Sequence, residues 1–160
     1  MIFSAIGASI ASSLGLKGAF VTGFFLLSVM VFSQILTVWR AQQIEDGVSV
    51  DSSFFMKREV VITILFIGQI LTGSGQAIIW VAQGEYMSKC ASEDSQGFYF
   101  GLFWCIYMSS QIFGNFIGSE IITQTFGPVF FIIMGTLMIA VVITFLFLRK
   151  PKPFENVAET

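Results

Sequence analysis

Charge is scarce in this chain. Its 160 residues include 8 Lys+Arg and 10 Asp+Glu, 11% in all, and no histidine. A soluble domain would carry roughly a quarter charged residues. The missing imidazole removes the commonest general base and the commonest zinc ligand. A formal net charge of -2 leaves no basic face for nucleic acid. Cysteine is nearly as rare, and Cys90 and Cys105 make neither a disulfide framework nor a zinc or CxxC spacing. Glu45, Asp46 and Asp51 are the nearest thing to an acidic site, but their spacing matches no calcium loop and reads as a solvated charge cluster. The sequence therefore carries no catalytic constellation, no metal site and no cofactor motif, and it reads as a non-enzyme.

What is abundant is apolar. Hydrophobic residues make up 55% of the chain, and the mean hydropathy is +0.83. A transmembrane helix needs about 20 mostly apolar residues. Four stretches qualify as full spans, at about 19–39, 60–87, 98–122 and 126–148, and a shorter one at about 2–16 reads as part of a fifth helix. Together they form one transmembrane helical domain over residues 1–150, followed by a polar tail, 151–160. The short first run lacks the positive n-region of a signal peptide. Gly15 and Gly18 are expected to break the first two runs, and Gly127-Pro128 the last two. The stretch from Arg40 to Glu59 reads as a polar surface loop. Alternation of the five segments puts Lys17, Lys89, Arg149, Lys150 and Lys152 on one side and Arg40, Lys57 and Arg58 on the other. The positive-inside rule then places the C-terminus in the cytosol or in the equivalent negative compartment. Lys89-Cys90 forms a short-loop thiol that palmitoylation could use or that stays free.

In lipid, information lies in where polar and small residues sit around each helix. On the run at 60–87, Gln69, Thr72, Gly73, Gln76, Trp80, Gln83 and Gly84 recur at i, i+3, i+4, i+7 spacing. On the next, Trp104, Tyr107, Gln111, Gly114, Asn115 and Gly118 share one arc, opposite Leu102, Ile106, Phe113, Phe116 and Ile117. The runs at 19–39 and 126–148 have little polar content and read as outer, lipid-facing helices. At about 1.5 Å of rise per residue, Trp80 and Trp104 enter to similar depth from the same side, so they are expected to be neighbours. One reading of the two stripes is a ligand or water cavity lined by Gln76, Trp80, Gln83, Trp104, Tyr107, Gln111 and Asn115. The other is interhelical hydrogen bonding that holds a bundle together. Gly73, Gly84, Ser110, Gly114 and Gly118 are the expected helix-packing positions, the last three forming a small-residue line through GNFIG. Glu85 and Glu120 fall off the stripes near helix ends and read as headgroup anchors.

The run LTGSGQAIIWVAQGEYMSK followed by FYFGLFWCIYMSSQIFGNFIGS closely resembles paired helices of the ion-channel regulatory proteins of the uncoordinated (Unc-ninety-three-like) type, a branch of the major facilitator superfamily. The matching positions are Trp80, Ala82, Gln83, Gly84 and Tyr86; Tyr99, Phe100, Gly101, Phe103 and Trp104; and Ser109, Ser110, Gln111, Gly114, Asn115, Ile117 and Gly118. Similarity continues through SLGLKG at Ser13 to Gly18. The resemblance implies an all-α membrane protein, a partial facilitator six-helix half running from the end of helix two through helix six. It also implies that further residues or other membrane-protein chains cover the polar faces, since a lone half has no opposing wall. The facilitator loop pattern G-x-x-x-D-R-x-G-R-K is incomplete here, with Ser12 and Ser13 where its acid and base stand and only Lys17 retained.

The expected function is contact with other membrane proteins, as an ion-channel regulatory subunit, trafficking escort or accessory subunit in a plasma, endo- or organelle membrane. The alternative is half of a secondary transporter for a small neutral or amphipathic solute. The expected partners are the lipid bilayer and neighbouring membrane-protein chains, with no nucleic acid.

Overall fold

Gly15 bends the chain where the first apolar run gives way to the second. Its φ of 69° and ψ of 165° lie in a region that only glycine occupies comfortably. The computed structural model describes residues 2–48, 53–125 and 127–149. These comprise α1 (Ile2–Glu45), bent at Gly15, a single 3-10 turn at Phe54–Met56, α2 (Arg58–Cys90), α3 (Gln96–Gln124) and α4 (Gly127–Leu146). No strand occurs among the described residues. Asp51, Phe126, Lys150, Lys152 and the expected polar tail lie outside them. A Gly15→Ala variant should be destabilised by about 1–3 kcal/mol through backbone strain alone. An SDS unfolding titration in mixed micelles would check this, because a Cβ at Gly15 would meet open space and add no clash.

Among the described residues, three helices are long and apolar enough to cross a membrane: Ser12–Glu45, Arg58–Cys90 and Gly127–Leu146. α3 has the length but is less apolar, because Ser109, Ser110, Gln111, Gly114 and Asn115 interrupt it. Many hydroxyl groups along the helices bond their own backbone. Ser33 Oγ donates to the carbonyl of Met30 at 2.7 Å, Ser110 to Tyr107 at 2.7 Å, Thr136 to Ile132 at 2.8 Å and Thr144 to Ala140 at 2.8 Å.

α1 is the hub. It packs antiparallel to both α2 and α4 and carries most of the contact between helices. Against α2 the seam on the partner helix is Val61, Gly68, Gly75, Ile78 and Ala82, all buried. Four of these repeat every seven residues, the spacing that keeps a small-residue groove facing one neighbour. A Cβ on Gly75 would come within 2.8 Å of the Gly23 carbonyl oxygen and 2.9 Å of Leu27 Cδ1, so the two backbones meet there. Ala19, Phe20, Ile78 and Ala82 form the buried cluster one turn further along. Against α4, Phe145 stacks on Phe20 and Phe24 at 4.9 and 4.7 Å between ring centroids, and Gly135 receives the Phe32 ring.

These contacts correct three expectations. The 19–39 segment is central rather than outer, because tight packing in lipid follows small residues and ring shape, not polarity. Gly18 stays helical, and the break falls on Gly15 alone. The 40–59 loop is shorter than its charges suggest, since α1 runs on through Ala41, Gln42, Gln43, Ile44 and Glu45, most of them good helix formers. The antiparallel packing gathers Lys17, Lys89 and Arg149 at one end and Arg40, Lys57 and Arg58 at the other.

Candidate functional site

α3 stands apart from the other three helices. It touches α2 where Trp80 meets Trp104 and α4 where Gly118 meets Phe130. The first contact is aromatic. Trp80 of α2 and Trp104 of α3 stack with centroids 5.5 Å apart and planes 12° from parallel. Tyr107 stands nearly perpendicular to both, 5.3 Å from Trp80 and 5.6 Å from Trp104. Phe103 lies parallel to Tyr107 at 6.1 Å and edge-on to Trp80 at 6.3 Å. Each such pair contributes about 0.5–1.5 kcal/mol beyond its buried area. The cluster is nevertheless open, with Trp80 37% and Trp104 45% exposed.

The structure thus brings Trp80, Trp104 and Tyr107 together, and for Trp80 and Trp104 this is the neighbourhood that their depth in the helices predicts. Phe103 was not foreseen as a member of this group. Its signal is the i, i+4 spacing to Tyr107, which puts both rings over one turn of α3. Gln83 lies one turn beyond Trp80, half-buried, with an amide nitrogen that is out of solvent and has no hydrogen-bond partner. Thr72 Oγ1 on the same stripe is in the same condition. An unpaired buried donor is costly in low dielectric. Gln76, Gln111 and Asn115 are exposed. A shallow hollow of ≈ 230 Å³ lies elsewhere on α2, lined by Ile62, Leu65, Phe66 and Gln69.

The expected packing glycines behave unequally. Gly118 lies against Phe130 of α4, with a built Cβ 3.8 Å from the ring. Gly73, Gly84 and Gly114 face open space, and Ser110 is exposed. Among the described residues the close approaches between helices belong instead to Gly23, Gly68, Gly75, Gly127 and Gly135. Of the two off-stripe acids, Glu85 is exposed and accepts from Lys89 Nζ at 2.6 Å. Glu120 is exposed and paired with Gln124. Both contacts lie within one helix turn. Cys90 and Cys105 are free and exposed. Among the described residues, no group of three or more His, Cys, Asp or Glu could hold a metal ion.

A long aromatic-hinged helix pair beside an apolar helical hub is the arrangement on which the family motifs lie. The family model of the ion channel regulatory protein UNC-93 matches residues 16–160. The chain belongs to the UNC-93 family. The match begins one residue past the Gly15 bend and takes in α2, α3 and α4 entirely. No solved structure matches the chain. UNC-93 membership, with three helices fit to cross a membrane, makes this a regulatory membrane protein. In this UNC-93 chain the Trp80, Phe103, Trp104 and Tyr107 cluster is the device that holds α3 to α2.

Proposed function

We propose that the chain is a non-enzymatic, facilitator-type integral membrane protein that acts by binding other membrane proteins, as an ion-channel regulatory subunit, escort or accessory subunit. The observation that carries this reading is the uncovered side of α3. α3 touches α2 through Phe103, Trp104 and Tyr107 and α4 beside Gly118, which leaves Gln111, Gly114 and Asn115 exposed, as are Gln76 and Gly73 of α2. Lipid offers no hydrogen bond to such amides. Small residues beside them let another helix approach closely. A covering helix from another membrane protein supplies both needs. On this reading α3 is a fourth span, the segment before Gly15 is a partial fifth, and the whole is a partial facilitator half. Gly73, Gly84, Ser110, Gly114 and Gly118 then serve packing against the covering chain as well as within this one.

A second reading is favoured by the aromatic cluster and the orphaned Gln83 amide. These would suit a pocket for a small neutral or amphipathic solute in half of a secondary transporter, with Gln76, Trp80, Gln83, Trp104, Tyr107, Gln111 and Asn115 as its lining.

Two assays separate the readings. Co-expressed with an ion-channel subunit in the same membrane, a Gln76→Leu, Gln111→Leu double variant should fold normally, since both positions are exposed. It should lose co-purification with the channel and the change in current that the native chain produces. Saturable solute uptake by proteoliposomes, abolished by the same two changes, would overturn the first reading in favour of the second.

A further inference from the structure

The connection between α1 and α2 presents two large rings to the outside. Phe54 and Phe55 are 65% and 64% exposed, with their rings in edge contact at 5.6 Å. The 3-10 turn at Phe54–Met56 fixes them there. Met56 points inward and is buried, and its carbonyl accepts a hydrogen bond from Arg40 Nε at 2.7 Å. That bond sets the level of the turn. Arg40 is the first charge after the charge-free run that ends at Trp39, so it marks where α1 leaves the hydrocarbon. α1 continues past it to Glu45, and the chain folds back so that the two phenylalanines return to the depth of Arg40. Trp39, itself half-exposed, stands at the same level. Lys57 and Arg58 follow directly and are exposed.

We propose that the Ser53–Arg58 turn is a membrane-interface anchor: Phe54 and Phe55 insert beneath the headgroups of the adjoining leaflet while Arg58 and Lys57 meet its phosphates. Two arguments favour a lipid surface as the occupant. The turn continues an apolar surface that already belongs to two helices fit to cross a membrane, and its apolar tip followed directly by Lys57 and Arg58 has the polarity of the acyl-to-phosphate boundary. Aromatic rings left in water at this position would be a steady cost, whereas rings in the interface fix the vertical position of α1 and α2.

The test is collision-based depth measurement on the full chain in vesicles of phosphatidylcholine and phosphatidylglycerol. Nitroxide labels are placed singly by Phe54→Cys or Phe55→Cys in a Cys90→Ser, Cys105→Ser background. Asp46→Cys gives the water reference and Phe66→Cys the lipid reference. Labels at 54 and 55 should collide more with oxygen than with a soluble nickel chelate, as at 66 and opposite to 46. A water-like ratio at both positions would overturn the proposal. So would an immobilised label shielded from both reagents, which would assign the turn to a protein partner. A Phe54→Trp variant keeps an aromatic ring and gives an independent readout. Its added fluorescence, relative to the parent, should be quenched by lipids brominated near the headgroup, and unquenched emission at water-like wavelength would count against the anchor.

Discussion

Gly75→Leu should separate α1 from α2 and destabilise the chain by about 3 kcal/mol, at the upper end of what overpacking a tight interface costs. The reason is that the nearest neighbour is backbone. A Cβ at this position would lie 2.8 Å from a backbone oxygen of Gly23 and 3.0 Å from Leu26 Cβ. Backbone cannot swing aside as a side-chain tip can, so the helices must part, and the groove formed with Gly68 and Ala82 is lost with them. Gly73→Leu provides the matched control. It lies two residues away on the same helix, but its Cβ would meet nothing within 4 Å, so a change of about 0.5 kcal/mol or less is expected in the isolated chain. SDS unfolding titrations of the two variants should therefore diverge strongly. Equal behaviour would contradict the assigned seam.

Trp80→Ala is expected to release α3. Trp80 contacts Phe103, Trp104 and Tyr107 at once, and little else joins α2 to α3. Three aromatic pairs at about 0.5–1.5 kcal/mol each, discounted for partial exposure, give a loss of about 2 kcal/mol. The loss should be local, because the buried cluster of Ala19, Phe20, Ile78 and Ala82 lies on the opposite contact. Limited proteolysis in the Ala91–Ser95 connection should accelerate while the α1, α2 and α4 unit keeps its unfolding midpoint. A double-mutant cycle with Trp104→Ala should return a coupling near 1 kcal/mol. A coupling of zero would mean that the stacked indoles do not hold the helices together.

The sequence made some of this legible because its signals were physical constraints with one solution. A glycine between two apolar runs marked the bend at Gly15, and helical periodicity with depth arithmetic put Trp80 beside Trp104. The central place of α1 was not legible, because its contact surface of Ala19, Phe20, Gly23 and Ser28 looks as apolar as a lipid-facing one. The same ambiguity hid the α2 seam. Sorting residues by polarity groups Gly73 with Gln76, whereas the seven-residue repeat of Val61, Gly68, Gly75 and Ala82 is a repeat of size. The polar stripe and the packed seam are neighbouring strips on one helix. Only the position of α1 shows which of them is filled within the chain. The 40–59 segment misled because charge marks the end of the hydrocarbon, not the end of a helix, and α1 continues beyond Arg40.

The central claim is that the polar and small-residue side of α3 is covered by another membrane protein. Photo-cross-linking from Asn115 in native membranes tests it most directly, with Ile106 on the opposite side of the helix as the reference. The account predicts a discrete adduct from Asn115 to a second membrane-protein chain, reduced by Gln76→Leu with Gln111→Leu, and lipid adducts alone from Ile106. Lipid adducts alone from both positions would contradict it.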